Sequence, residues 1–281
     1  MKCILAIPNY NMRPSLAKLL ASLAAEQFDE IYVLDDASAD GSADFVSDAF
    51  PAVKVVRGER NMCAAGNRNR LLPFLSGDEL VLFIDADSEL LSHELPQAVA
   101  RWFENDKLGL AGSLILDQSG RPRTWNYGWA MNPVKDARNA VYEHLARTTW
   151  PNSPTHRMIR LLALGLHDTY NFEIACTDPV SRKVDWVSEG LFAIRADVFK
   201  KVGGFDDNFR YHSGQDLGLR VAAAGYEVRF EPGITVRHLE LDVRGARRWE
   251  DHREGAFLFY AKHWGMSRQV FDRLFPVSLE T

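Results

Sequence analysis

Short apolar runs, each closing on turn-forming polar residues and each followed by apolar positions at helical spacing, recur through the first third of the chain. Cys3 to Ile7 predicts a buried strand, with Pro8-Asn9-Tyr10-Asn11 as the turn at its carboxyl end. Pro14 suits a first helical turn, and Leu16, Leu19, Leu20 and Leu23 share one helical face. Ile31 to Leu34 repeats the strand pattern and runs into Asp35-Asp36-Ala37-Ser38-Ala39-Asp40-Gly41-Ser42; Phe45, Val46, Ala49 and Phe50 then mark a helix stopped by Pro51. Val53 to Val56 predicts a third strand, and the stretch from Asn61 to Arg70 opens another helix. Leu80 to Ile84 is apolar throughout, as a strand buried on both faces requires, and ends in Asp85-Ala86-Asp87-Ser88. Strands alternating with helices in this way predict a mostly parallel central sheet with helices on both faces.

The pattern lapses between about Asp117 and Asp185. There Trp125, Tyr127, Trp129, Trp150 and Tyr170 lie among Arg121, Arg123, Arg138, Arg147, Arg157 and Arg160, a mixture that suits sugar rings and phosphates or simply packs an irregular insertion. Beyond it, Leu217, Arg220, Val221 and Ala224 predict a helix stopped at Gly225. Two further strands are expected, Glu227 to Phe230 and Thr235 to His238, separated by Pro232-Gly233. From Gly245 to Phe275 the chain is basic, aromatic and helical in pattern, fit either to cap the domain or to rest on an anionic membrane surface.

A length of 281 residues accommodates one large core, so a single domain over 1–281 is expected. Its halves would meet near residue 115, with a helical segment from 246. A net charge of -5 gives no electrostatic reason to expect nucleic acid, so an anionic ligand must be held locally. Cys3, Cys63 and Cys176 have no disulfide-framework or zinc spacing, and no apolar run reaches membrane-spanning length. The start of the chain has no signal-peptide pattern, and a cytoplasmic location is expected, with any membrane contact peripheral to the inner face.

An Asp-x-Asp at a strand's carboxyl end can offer hard oxygen ligands to a divalent cation, although Asp and Ser also make ordinary turns. The surrounding motifs resolve this ambiguity. Ile7-Pro8-Asn9-Tyr10-Asn11, Val33-Leu34-Asp35-Asp36-Ala37-Ser38, Asn61 with Ala65-Gly66-Asn67-Arg68-Asn69, and Asp85-Ala86-Asp87 resemble, in order and spacing, the GT-A glycosyltransferases of family 2. Val187-Ser188-Glu189-Gly190, Val202-Gly203-Gly204-Phe205-Asp206 and Gly214-Gln215-Asp216-Leu217 look like that family's acceptor-side segment, in its rhamnosyltransferase-like branch.

The resemblance implies a Rossmann-like GT-A fold and an inverting transfer of a sugar from a UDP-, dTDP- or GDP-sugar to a glycan or lipid-linked acceptor, assisted by Mn²⁺ or Mg²⁺. By the same resemblance, Pro8, Asn9, Tyr10, Asp35, Asp36, Asn61, Arg68, Asp85 and Ala86 bind the donor, with Asp36 or Asp35 reading the base, while Asp87 and His238 hold the metal. Asp35, Asp36, Ser38 and Asp40 could equally cap a helix. Asp216 is the expected general base, at a helix start where the dipole favours negative charge. Two departures stand out: Gln215 in place of an acid before Asp216, and Ser88 where relatives often carry a third acid. A haloacid-type phosphatase also follows a strand with Asp-x-Asp, but it has no use for the upstream nucleotide-binding turns. A non-catalytic nucleotide-sugar or glycan-binding protein of the same fold is the remaining alternative.

Overall fold

The computed structural model describes residues 1–123, 126–130, 132–134, 153–155, 158, 179–239 and 248–275. Its first half alternates as the pattern predicts: β1 (Lys2–Asn9), α1 (Arg13–Ser22), β2 (Glu30–Asp35), α2 (Ser42–Ala49), β3 (Val53–Arg57), α3 (Cys63–Asn69) and β4 (Glu79–Ile84). There follow β5 (Ser88–Leu90), α4 (Leu95–Trp102) and β6 (Leu108–Leu116), then short β7 (Tyr127–Gly128), β8 (Arg182–Lys183) and β9 (Trp186–Val187). The chain continues through β10 (Leu191–Arg195), α5 (Ala196–Lys201), α6 (Ser213–Ala223), β11 (Glu227–His238), α7 (Arg248–Trp264) and α8 (Arg268–Leu274).

The main sheet runs in the order β3-β2-β1-β4-β10-β6-β11-β5, with β8 beside β11. Strands β3, β2, β1, β4, β6 and β11 point one way. Strand β10 is inserted antiparallel between β4 and β6. Period-two alternation loads both faces. Along β4, Leu80, Leu82 and Ile84 join a core with Leu5, Leu16 and Val99 on one side. Val81 and Phe83 join Ala65, Phe199 and Leu217 on the other. The ring of Phe83 stacks on Phe192 of β10 at a centroid distance of 4.7 Å, which binds the antiparallel strand into the second core.

Two expectations change. Strand β1 continues through Pro8 and Asn9, because Asn9 pairs in register with Asp35 at the end of β2 instead of turning away. The two strands expected after Gly225 are one, β11, which pairs with β6 on either side of an irregular stretch between Phe230 and Thr235, with a further register shift between Glu227 and Val228. That irregular stretch absorbs Pro232, whose missing N–H a regular ladder could not use. Ser113 on β6 satisfies the shifted backbone, with its hydroxyl 2.5 Å from the Glu231 carbonyl and 2.6 Å from that of Ile234. Of the insertion's aromatics, Tyr127 is a core residue packed on Phe230, with Trp129 against its edge. Trp125, Trp150, Tyr170, Arg138, Arg147, Arg157, Arg160 and Cys176 lie outside the described residues.

Candidate active site

The buried run of β4 ends at Ile84, so Asp85, Ala86 and Asp87 leave the sheet at its carboxyl edge. Two backbone bonds fix them there: Asp85 N–H donates to the Gly190 carbonyl at 3.1 Å, and Ser88 N–H to the Asp85 carbonyl at 3.1 Å. Strand β5 then pairs antiparallel with the end of β11, His238 opposite Ser88. Leu239 N–H donates to the Asp87 carbonyl at 2.8 Å. This register brings together residues some 150 positions apart. His238 Nε2 lies 3.4 Å from an Asp87 oxygen and 3.7 Å from an Asp85 oxygen. Ligand atoms of Asp85, Asp87 and His238 all fall within 4.8 Å of one another. Two carboxylates and an imidazole at that spacing fit a hard or borderline divalent cation such as Mg²⁺ or Mn²⁺. Gly190 keeps the space open, since a side-chain carbon there would stand 3.3 Å from Asp85 Oδ2 and 3.6 Å from the His238 ring. Burial alone would lower the His238 pKa; the hydrogen bond and charge of Asp85, with the charge of Asp87, outweigh it and raise it above the ordinary histidine value.

The remaining sequence candidates fall into two groups. At the ends of β1 and β2, Asn9 Nδ2 donates to Asp35 at 2.9 Å and to Ser38 Oγ at 3.2 Å, and Ser38 N–H donates to the second Asp35 oxygen at 3.0 Å. Asp36 turns toward the start of α3 instead: both its oxygens accept from Met62 N–H, at 2.9 and 3.0 Å, and Arg70 Nη2 approaches to 3.2 Å. Pro8 and Tyr10 are half-buried beside this network, Asn61 is exposed, and Ala86 is buried in the Asp-x-Asp. Arg68 reaches Asp85 from α3 and links it to Glu189. It is buried, with Nη2 2.6 Å from Asp85 Oδ1 and 3.0 Å from the Glu189 carbonyl, and Nη1 3.3 Å from the Glu189 carboxylate.

Asp216 is in α6 but has no accessible surface. Arg220, one turn on, contacts it at 2.7 Å, Lys262 at 2.6 Å and His263 at 2.9 Å, the last two from α7. Its carboxylate is thus enclosed by a guanidinium, an ammonium and an imidazole. Glu189, which falls in the Val187-Ser188-Glu189-Gly190 segment of the acceptor-side resemblance but takes no role of its own from it, lies between α6 and Arg68: its Oε1 accepts from Ser213 Oγ and Gly214 N–H, each at 2.6 Å. The sequence signal, an acid directly before a glycine and an apolar strand within that segment, is too common to assign it a role.

Comparison with known proteins supplies the relatives of this arrangement. The sequence model described as Glycosyl transferase family 2 matches residues 4–176, a stretch that includes Asp85 and Asp87 and ends before Asp216 and His238. N-acetylglucosaminyl-diphospho-decaprenol L-rhamnosyltransferase of Mycobacterium tuberculosis is 26% identical over 279 residues, spanning 92% of this chain and 84% of its own. Rhamnosyltransferase WbbL of Escherichia coli K12 is 31% identical over 100 residues, 34% of this chain and 37% of its own. Among solved structures, mannosyltransferase PcManGT from Pyrobaculum calidifontis, in complex with GDP-Man and Mn²⁺, aligns with a TM-score of 0.59 at 16% identity, over 96% of this chain and 68% of its own. S. aureus TarS 1–349 in complex with UDP-GlcNAc aligns with a TM-score of 0.59 at 18% identity, over 98% of this chain and 70% of its own. At those identities the structural likeness carries the fold, which is GT-A.

Proposed function

Because the chain belongs to glycosyl transferase family 2 and is a glycosyltransferase, we propose that it moves a deoxyhexosyl group from a nucleoside-diphosphate donor to a lipid-linked glycan, with inversion at the anomeric carbon. The observation that carries the reading is the convergence of Asp85, Asp87 and His238 at the carboxyl edge of β4, beside the Asn9, Asp35 and Asp36 network. Asp87 and His238, with Asp85, would hold Mn²⁺ or Mg²⁺, which when bound supplies the positive charge that stabilises a departing diphosphate. Asp85 is itself oriented by Arg68, and Asp35 and Asp36 stand where a base could lie across the ends of β1 and β2. The choice of a deoxyhexose and of a lipid-linked acceptor is supported by the names of the two rhamnosyltransferases. UDP-, dTDP- and GDP-sugars remain the donors to compare. No helix among the described residues is long and apolar enough to cross a membrane. Contact with such an acceptor on the cytoplasmic side we assign to the basic C-terminal segment.

Asp87→Ala tests the centre of this reading. The carboxylate is buried in the turn between β4 and β5, where it faces His238 and belongs to none of the apolar cores, so the variant is expected to fold while losing the Mn²⁺-dependent part of its nucleoside-diphosphate affinity in calorimetry. Metal-dependent affinity equal to that of the wild type would overturn the assignment.

A further inference from the structure

Proton acceptance from an acceptor hydroxyl needs a carboxylate that the hydroxyl can reach. Asp216 has no exposed surface and is held by Arg220, Lys262 and His263. Glu189 differs in each respect. Its side chain is 24% exposed, and a single guanidinium, that of Arg68, separates its carboxylate from Asp85. Ser213 Oγ and Gly214 N–H fix one of its oxygens at the first turn of α6. Gly214 permits that approach, because a side-chain carbon there would lie 3.0 Å from Glu189 Cγ and 3.2 Å from Oε1.

We propose that Glu189, rather than Asp216, takes the proton of the acceptor hydroxyl, and that Asp216 is a positioning residue that fixes α6 and so holds Ser213 and Gly214 against Glu189. The assignment rests on the reading of the site as one for metal-assisted transfer from a nucleotide sugar. In the step, the acceptor oxygen bonds to the anomeric carbon while the bond from that carbon to the β-phosphate oxygen breaks. The electron pair of the broken bond leaves on the nucleoside diphosphate. The hydroxyl proton passes to a Glu189 carboxylate oxygen and from there to solvent.

The test uses the full chain with Mn²⁺ and, in turn, UDP-, dTDP- and GDP-sugars, reading nucleoside-diphosphate release with water and with polyprenyl-diphosphate-linked N-acetylglucosamine as acceptors. Glu189→Gln keeps an oxygen for Ser213 and Gly214 but is a poor proton acceptor. It is expected to lower kcat by about two to four orders of magnitude and abolish the acid limb of the kcat–pH profile, while donor KM changes less than about threefold. Asp216→Asn is expected to lower the melting temperature and keep the acid limb. If Glu189→Gln loses its thermal transition, Glu189→Asp carries the test: the shorter carboxylate should slow transfer yet retain the limb. Wild-type-like kcat in Glu189→Gln, or loss of the limb in Asp216→Asn alone, would overturn the proposal. No release by the wild-type chain from any of these donors would overturn the nucleotide-sugar reading itself.

Discussion

Asp35 and Asp36 are adjacent in sequence yet face different neighbours, and that difference separates their roles. Asp35 is bound up with Asn9 and Ser38, whereas Asp36 takes the Met62 N–H and Arg70. Burial pushes the Asp36 carboxyl above the ordinary carboxylate value, outweighing the hydrogen bonds from Met62 and Arg70 that pull it down. A folded-state pKa above the unfolded one means that stability present at low pH is lost as pH rises through the raised value. Asp36→Asn, which retains an oxygen for Met62, is therefore expected to melt no lower than the wild type at pH 7, with any gain vanishing below the unfolded value near 3.8. If Asp36 reads the base, the same variant loses nucleoside-diphosphate affinity with or without Mn²⁺. A lower melting temperature together with unchanged affinity would reverse both assignments. None of this was legible in Asp35-Asp36 as a string, where either residue could read a base or cap a helix; the strand register decided which way each one points.

Helices α6 and α7 belong together although 24 residues separate them in the chain. A third apolar cluster of Phe209, Phe259, Tyr260 and Phe271 seats α7 and α8, and from this seat Lys262 and His263 reach Asp216. Lys262 also contacts Asp206 at 2.8 Å, where it pulls that carboxyl below its ordinary range against the effect of burial. The C-terminal segment therefore caps the catalytic domain through at least this face, one of the two roles its pattern allowed. Phe259 is fully buried, and Phe259→Ala is expected to cost about 3–5 kcal/mol and to loosen α7 from Asp216. Hydrogen exchange checks this: protection should fall in α7 and the first turn of α6 while β1 and β4 keep theirs. Uniform loss of protection, or none, would show that α7 does not brace α6.

Across the whole molecule, the cation cluster draws on the end of β4, the β5 edge and the end of β11, so a ligand bound there bridges parts of the chain far apart in sequence. Nucleoside diphosphate with Mn²⁺ is expected to raise the melting temperature, by about 2.7 kcal/mol of stabilisation at a hundredfold excess over Kd, and EDTA to reverse most of the gain. Equal shifts with and without metal would place the nucleotide away from Asp87. The sequence by itself determined the alternating β1 to β4 framework, because each strand there is a local apolar run and β1, β2 and β3 are each followed by a helix of their own, and the apolar run of β4 placed Asp85 and Asp87 at a strand's end. Family membership, readable in the ordered turns, settled enzyme against binding protein. The structure alone decided that β10 enters antiparallel, that two expected strands form a continuous β11, that His238 meets Asp87, and that Asp216 is enclosed while Glu189 faces Arg68. Each of these depends on pairing between segments distant in the chain, and a period-two or helical pattern records which face a residue takes but not which strand or helix will lie against it.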